Sequence, residues 1–376
     1  MGARPQYELV PPVPQEVDLE LKDHHPVAKK ILFRQGVTNE EAATAWLQPS
    51  FETDLHDPFL LTDMEKAVAR LLLALKQNEH IVIYTDYDCD GIPGGVLLHD
   101  FFTAIGYTNF ENYIPHRHHE GYGFNTEAVP KFVERETKLI ITVDCGITDH
   151  AATAAAQAAG IDVIVTDHHE PAATLPPAYA IINPKRDQAY PFSGICGSGV
   201  AFKLAQAALK RGREQGVITL PLGQEKWWLD LVGLATIADM VPLTNENRVL
   251  ATYGLTVLRK SRRPGLAQLL RTAGASQRYL TEDDIGFTIA PRINAASRMD
   301  TPEDAFLMLK TKDEAEAGAT VRHLEGLNNE RKGVVAAMVK EARHRLADWA
   351  ELPSVLVLGN PEWRPSLVGL VANTLA

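Results

Sequence analysis

Residues 81–91 read IVIYTDYDCDG, a short apolar run that leads directly into three acids: Asp86, Asp88 and Asp90. Two further runs have the same form, LIITV at 139–143 and VIVT at 163–166. Runs this short, continuous and rich in β-branched residues are typical of strands buried on both faces of a parallel sheet. Their alternation with helical segments from residue 80 onwards predicts an α/β fold with a doubly wound, mainly parallel sheet.

The second and third apolar runs are also followed by side chains that can bind metals: an acid after the second, and an acid and two histidines after the third. Asp144 comes directly after residue 143, and Asp167, His168 and His169 come directly after residue 166. Because ligands of open parallel sheets bind outside the carboxyl ends of the strands, we expect these side chains to meet at one edge of the sheet. Closely spaced carboxylates repel one another unless a cation neutralises them. The three strand ends together therefore predict a metal site.

The first two parts of the chain differ in their patterns. We expect an N-terminal extension at 1–75, with helices at 40–47 and 64–75. The α/β domain follows at 76–312, and its second half, at about 198–275, is more helical than the first.

The last part of the chain begins with a long helix. We expect a connecting helix at 313–350, opened by the capping-box candidate Thr311-x-x-Glu314. A strand at 355–358 and a helix at 367–375 then begin a further domain at 351–376. One such unit cannot bury its own faces, so this domain is predicted to be incomplete.

Composition limits the classes of function. The chain has 376 residues and a formal net charge of −11, which is a weak argument against a general duplex-binding protein, although a local groove can still be basic. No stretch approaches the ~20 apolar residues of a membrane span. Three cysteines give no disulfide framework. We therefore expect a cytoplasmic protein that has no membrane partner.

The first acidic segment has two interpretations. If residues 86–90 are extended, Asp86, Asp88 and Asp90 share one face and can bind a cation together. Gly91 then lets the backbone turn into a helix and approach a bound anion. The alternative is a turn with solvated acids, which is common in loops.

Three other candidates lie near the predicted edge. Asp239 ends the apolar helix at 231–238, where a carboxylate is unfavourable unless a cation or a backbone N–H compensates it. His168 and His169 should face opposite ways at the end of a strand, so that one is a ligand and the other reaches the substrate. Taken alone, a pair of histidines in a loop is more often structural.

Two arginines and a glycine turn are candidates for phosphate binding. Arg117 and Arg298 lie in segments that we expect to be loops, and guanidinium groups bind phosphate with two hydrogen bonds. Surface or structural ion pairs are the usual alternative for an arginine. Ser198, between Gly197 and Gly199, is placed to cradle a phosphate, but a glycine turn ahead of a helix explains this segment equally well.

Several motifs resemble one known group of enzymes. Four resemble the motifs of the DHH phosphoesterase superfamily, in the same order: DYDCDG at 86–91, VDCG at 143–146, DHHEP at 167–171 and GLATIADMVPL at 233–243. Others resemble, within it, the family of single-strand-specific 5′→3′ exonucleases: IPHR and EGYG in 114–123, GSGVAFKL at 197–204, NENRVL at 245–250, PRINAASRMD at 291–300 and LNNERK at 327–332.

This resemblance implies a metal-dependent exonuclease of DNA repair and recombination that releases mononucleotides from the 5′ end of single-stranded DNA. It implies two divalent cations, Mn²⁺ or Mg²⁺, held by the following residues: Asp86, Asp88, Asp90, Asp144, His168 and Asp239. Asp144 would bridge the two cations. Asp144, His168 and His169 would be the catalytic residues, and Asp167 would support them without binding a cation itself. The residues implied in binding substrate phosphates are Arg117, Arg298, His169, Asn294 and Ser198.

The resemblance also implies an arrangement of domains and partners. Residues 76–312 would be the DHH domain and 351–376 the beginning of a DHHA1 domain, with a narrow passage for one strand between them. A single-strand-binding protein and a helicase would be its partners. The chain departs from the family's motifs at two places that concern substrate recognition. Ser297 stands where members of the family often have glycine. At 363–366 the family's Trp-His-Pro-Gly pattern is changed, with Arg364 in place of the histidine and Ser366 in place of the glycine.

Two other functions are compatible with the same motifs. One is a DHH phosphodiesterase that acts on short oligonucleotides or small nucleotides, which activity on dinucleotides but not on longer strands would favour. The other is a DHH protein that binds single strands without cutting them. Proteins of that kind tend to lose metal ligands, whereas every expected acid is present here.

Overall fold

The fold is built on a parallel sheet of five strands in the order β2-β1-β3-β4-β5. This computed structural model describes residues 11–347, 349 and 353–375. The strands are β1 (Ile81–Thr85), β2 (Phe110–Tyr113), β3 (Leu139–Val143), β4 (Asp162–Thr166) and β5 (Ala180–Ile182). The three apolar runs of the sequence are the three central strands, so the predicted parallel sheet is confirmed.

Helices cover both faces of this sheet, which makes it doubly wound. Alternate residues of β1 belong to different cores: Ile81 and Ile83 lie in a large core and Val82 and Tyr84 in a smaller one. The helices of the domain's first half are α4 (Met64–Gln77), α5 (Gly91–Ala104), α6 (Val129–Glu134), α7 (His150–Ala158) and α8 (Gly197–Glu214). Apolar residues of α4, α5 and α8 fill the large core, and those of α6 and α7 fill the smaller one. Burial on both faces explains why the strands are apolar throughout.

The N-terminal extension is helical, as predicted. Its helices are α1 (Gln15–Glu20), α2 (Pro26–Arg34) and α3 (Glu40–Leu47), followed by α4. Leu21, Leu32, Val37 and Ala43 form a small separate core between the first three. Residues 1–10 of this predicted part lie outside the described residues.

The second half of the domain is a layer of helices against the large core. They are α9 (Leu229–Ala238), α10 (Asn245–Leu258), α11 (Pro264–Ala273), α12 (Glu282–Asp284), α13 (Ala290–Met299) and α14 (Glu303–Lys310), with a π-helix at Ile285–Ile289. A fully buried ion pair joins Lys203 of α8 to Glu246 of α10. Tyr190 also donates to the Glu246 carboxylate, at 2.6 Å, so this buried charge is fully paired.

The long connecting helix, α15 (Glu314–Ala347), runs without a break through its glycines. The predicted capping box is wrong. Asp313 caps the helix instead, because its Oδ1 accepts from the N–H of Glu316 at 2.8 Å. The Thr311 hydroxyl donates to the Glu316 side chain rather than joining Glu314. Residues 348 and 350, at the end of the predicted helix, lie outside the described residues.

The predicted strand at 355–358 is wrong, because this segment is irregular. A strand needs a partner, and none of the described strands pairs with it. Val355 and Val357 are consequently 73% and 81% exposed. The helix predicted to follow is present as α16 (Pro365–Leu375), which packs Leu367 against Met338 and Val339 of α15. Residues 351, 352 and 376 lie outside the described residues.

None of the described helices combines the length and the apolar character that a membrane span requires.

Candidate metal centre

The acids and histidines lie along one edge of the sheet because the central strands end in register. Thr85 is level with Val143, Val143 with Thr166, and Thr166 with Ile182. The residues that follow these positions therefore leave the sheet side by side. Asp239 reaches the same place from the C-terminal end of α9.

The segment 86–90 is a turn, so the expectation of an extended chain with alternating faces is wrong. The Asp88 carboxylate accepts from the backbone N–H groups of Asp90 at 2.8 Å and of Gly91 at 3.2 Å, which curls the chain toward α5. Gly91 is required here, because a Cβ at this position would lie 2.5 Å from the carbonyl oxygen of Asp86. The turn still brings all three aspartates to the edge of the sheet.

The N-terminus of α8 holds the carboxylate of Asp90. Both oxygens accept backbone N–H groups, from Gly197 at 2.6 Å and from Ser198 at 2.7 Å. The positive end of a helix stabilises a negative charge at this position. Ser198 is fully buried and its hydroxyl donates to the Asp90 carbonyl oxygen at 2.5 Å, so the structure places this residue behind Asp90. Its role in phosphate binding stays a prediction.

Three groups of side chains at this edge are close enough to hold cations. Within each group, one ligand atom of every residue lies within 4.8 Å of the others. The groups are Asp86, Asp88 and Asp144; Asp90, His168 and Asp239; and Asp144, His168 and His169. His168 Nε2 is central, at 3.2 Å from Asp144 Oδ1, 3.6 Å from Asp90 Oδ2 and 3.8 Å from Asp239 Oδ2. Asp144 and His168 are each shared by two groups, so the three groups form one continuous cluster.

The chemistry of this cluster fits divalent cations. Oδ1 of Asp86 and Oδ1 of Asp144 are buried, and no group of the described residues donates a hydrogen bond to either. Burial, and then the neighbouring carboxylates, raise the pKa values of Asp86, Asp88 and Asp144. The same causes raise the pKa of Asp239 to about 7. Buried acceptors without donors require a counter-charge, and a set of oxygens with imidazole suits Mn²⁺ or Mg²⁺.

The two histidines lie side by side rather than facing opposite ways, so that expectation is wrong. Their ring centroids are 4.6 Å apart. The reason is Asp167, whose carboxylate accepts from the backbone N–H groups of His168 at 2.7 Å and His169 at 3.1 Å and pulls the chain into a turn. Asp167 also lies 2.8 Å from His169 Nδ1, and this hydrogen bond raises the pKa of His169. Burial, by contrast, lowers the pKa of His168.

The predicted phosphate arginines lie together beside the turn at 86–90. The Arg117 guanidinium stacks 4.8 Å from the ring centre of Tyr87. Arg298 is in α13, so its expected loop is wrong: Pro291 occupies the first turn of that helix, where proline is well tolerated. Within the described part of the chain, neither arginine forms an ion pair with a carboxylate. Burial, and then the charges of Arg117 and Arg331, lower the pKa of Arg298.

Asn294 supports the metal turn from α13. Its Oδ1 accepts from the backbone N–H of Cys89 at 2.8 Å. The structure thus places Asn294 against the turn, and its predicted contact with substrate stays a prediction.

Three side chains that border the centre were missed in the sequence. Tyr122 donates its hydroxyl to the Asp144 carbonyl oxygen at 3.2 Å, Arg331 lies near Arg298, and Lys185 follows β5 at the same edge. Tyr122 and Arg331 lie inside the motifs EGYG and LNNERK. The signal for Lys185 was its position just after β5, at the edge to which the other strands deliver their acids and histidines.

Comparisons with known proteins show which family this chain resembles. A family model described as the DHH family, N-terminal domain, matches residues 80–236. The single-stranded-DNA-specific exonuclease RecJ of Bacillus subtilis is 36% identical over 379 aligned positions, which cover 100% of this chain and 46% of the relative. The chain thus spans about half the length of the curated relatives it matches.

Two solved structures are similar over most of the chain. A crystal structure of RecJ from Thermus thermophilus in complex with Mn²⁺ has a TM-score of 0.80 at 33% identity, over 96% of this chain and 50% of that one. A crystal structure of exonuclease RecJ bound to manganese has a TM-score of 0.73 at 37% identity, over 84% of this chain and 77% of that one.

Proposed function

Since this chain belongs to the RecJ family of DHH proteins, we propose that it is a metal-dependent 5′→3′ exonuclease that releases mononucleotides from single-stranded DNA. The observation that supports this most is the cluster of mostly buried carboxylates and imidazoles beside two arginines, neither of which pairs with an acid among the described residues. Such a cluster suits phosphodiester hydrolysis, in which a negatively charged phosphate must be held while water attacks it.

Six residues would hold two divalent cations, Mn²⁺ or Mg²⁺: Asp86, Asp88, Asp90, Asp144, His168 and Asp239. Asp144 is proposed to bridge them, which is in keeping with its orphaned buried oxygen. When bound, the cations would lower the pKa of a water molecule and neutralise the phosphate. The N-terminus of α8 fixes Asp90, and Asn294 fixes the turn that carries Asp88, so the ligands are held in place before substrate arrives.

His169 is proposed to bind the scissile phosphate. Asp167 accepts from its Nδ1 and raises its pKa, which favours the protonated imidazole, whose Nε2 would donate to a phosphate oxygen. Asp167 itself accepts from three backbone N–H groups, those of His168, His169 and Ile147. Asp167 therefore acts by positioning His169.

Arg117 and Arg298 are proposed to bind the 5′-terminal phosphate, so that one nucleotide is measured from the end of the strand. Each lacks a carboxylate partner within the described residues, and an anion bound by both would offset the repulsion between their charges. A passage between the DHH domain and the DHHA1 domain that begins at 351 would admit only one strand.

The cellular setting follows from this substrate. We propose that the reaction belongs to DNA repair and recombination and takes place in the cytoplasm. The three free cysteines are compatible with that reducing compartment. A helicase and a single-strand-binding protein are the proposed partners, because an enzyme that accepts only single strands needs them to be separated and kept apart.

The test is Mn²⁺-dependent release of mononucleotides from a 5′-phosphorylated single-stranded oligonucleotide, with its duplex form alongside. Asp144→Asn, which keeps the shape of the side chain, should abolish release. Stepwise loss from the 5′ end of the single strand supports the proposal. Cleavage of dinucleotides alone would favour a small-substrate phosphodiesterase, and binding of Mn²⁺ and single strands without any release would show a non-catalytic protein.

A further inference from the structure

The backbone of Lys185 is hydrogen-bonded at the edge of the metal centre. It lies just beyond the carboxyl end of β5, beside the end of β4 that leads to His168 and His169. The buried Asn183 connects the two segments: its Nδ2 donates to the His169 carbonyl oxygen at 2.9 Å, and its Oδ1 accepts from the Lys185 N–H at 2.8 Å. The turn that carries Lys185 is thus fixed to the histidine proposed to touch the scissile phosphate.

The ammonium group of Lys185 has only a weak partner. Its Nζ lies 3.4 Å from Oε1 of Glu170, whose side chain is 82% exposed. An exposed pair of this kind is worth little and is easily exchanged for another anion. No second ion pair of Lys185 is present among the described residues, and its side chain is 30% exposed. The group is therefore accessible to a ligand.

Positive side chains lie on both flanks of the centre. The order of the strands separates these side chains: Arg117 follows β2 and Lys185 follows β5, the two outer strands, whereas the strand-end acids and histidines of the cluster follow β1, β3 and β4 between them. Arg117 stacks on Tyr87, the neighbour of Asp86 in the chain, and thus borders the end of the cluster at Asp86. Lys185 borders the other end, at His168 and His169. A strand that crosses the cluster meets positive charge before and after it.

We propose that Lys185 binds the phosphate on the 3′ side of the scissile bond, the next phosphate of the nucleic acid strand. This inference rests on the proposed function, in which Arg117 and Arg298 hold the 5′-terminal phosphate and the cluster holds the scissile one. Lys185 then makes the enzyme favour strands over dinucleotides, because a 5′-phosphorylated dinucleotide has no phosphate at that position.

The test compares two substrates, a 5′-phosphorylated dinucleotide and a 5′-phosphorylated single-stranded oligonucleotide, in Lys185→Ala, Lys185→Arg and the wild type. Lys30→Ala, which removes an exposed charge from α2, is the matched control. We expect Lys185→Ala to raise KM for the oligonucleotide about tenfold, the effect of one charge-assisted hydrogen bond, and to leave the dinucleotide unchanged. Lys185→Arg should restore most of the affinity.

A second readout does not depend on cleavage. Anisotropy of a labelled single strand, with Ca²⁺ in place of Mn²⁺ and at several salt concentrations, should show a salt dependence whose slope is smaller by about 0.7 in Lys185→Ala, as one phosphate contact is lost. Equal loss on both substrates, or no change in slope, would overturn the inference while the wild-type activity stands. A wild type that neither cleaves nor binds strands would overturn the proposed function, and this inference with it.

Discussion

The surroundings of Asp239 move the pKa of its carboxyl group into the neutral range. Burial, and then the carboxylates of Asp90 and Asp88, raise its pKa to about 7. In the cation-free protein the group is half protonated near that pH and fully charged only above it. Because a cation must displace this proton, we expect the affinity for Mn²⁺ to fall as the pH is lowered from about 8 to about 6.

Titration calorimetry with Mn²⁺ across this pH range measures the affinity. Repeating the titration in two buffers with different enthalpies of ionisation gives the number of protons released on binding. Asp239→Asn should bind Mn²⁺ at least about tenfold more weakly and release fewer protons. An affinity that is the same at both ends of the range in the wild type would contradict the role of Asp239.

At the scale of the element, the first turn of α8 tolerates no added atom. A Cβ at Gly197 would lie 2.5 Å from Oδ1 of Asp144 and 2.6 Å from its Cβ. The backbone N–H groups of Gly197 and Ser198 in the same turn donate to the Asp90 carboxylate. We expect Gly197→Ala to push α8 away from both acids and to weaken Mn²⁺ binding by at least about tenfold, since displaced supporting contacts cost this much at metal sites. Isothermal titration with Mn²⁺ measures it.

Gly326→Ala is the matched control, because a Cβ at this exposed position of α15 meets nothing within 4 Å. It should leave Mn²⁺ binding unchanged and stabilise the fold by about 0.5–1 kcal/mol, since alanine is the better helix former. Normal Mn²⁺ binding in Gly197→Ala would show that α8 does not position the ligands.

The elements also show what the sequence can and cannot predict. The strands were predictable because burial on both faces leaves a local pattern of apolar residues, and their parallel order brought Asp86, Asp144 and Asp167 together. The hold of α8 on Asp90 was not predictable, because it joins residues 107 positions apart. The segment 355–358 has the pattern of a strand, but pattern alone supplies no partner. The ligand roles themselves stay predictions.

At the scale of the whole molecule, the cluster sets the stability of the cation-free protein. Burial raises the pKa values of Asp86, Asp88, Asp144 and Asp239 above those of an unfolded chain. Their protonation therefore stabilises the folded state at low pH, and this contribution is lost as the pH rises through the folded pKa values, which for Asp239 is about 7. At higher pH, where these carboxyl groups are charged, a bound cation would offset the repulsion between them.

We therefore expect the Tm in EDTA to fall between about pH 6 and about pH 8, and Mn²⁺ to raise it by at least about 2 °C at the higher pH. Differential scanning calorimetry measures both. Asp86→Asn removes one buried charge, so its Tm in EDTA should depend less on pH and respond less to Mn²⁺. Equal Tm values in EDTA and in Mn²⁺ would show that no cation binds the folded protein.

The hold of α8 on Asp90 also sets an order for biosynthesis. The ribosome releases the acids that follow β1, β3 and β4 before the helix terminus that fixes Asp90, and Asp239 emerges later still. A nascent chain that stops after β4 carries these carboxylates without the backbone amides and the last acid that complete the cluster. We therefore expect the proposed cations to bind late in the maturation of the protein, after most of the domain has been translated.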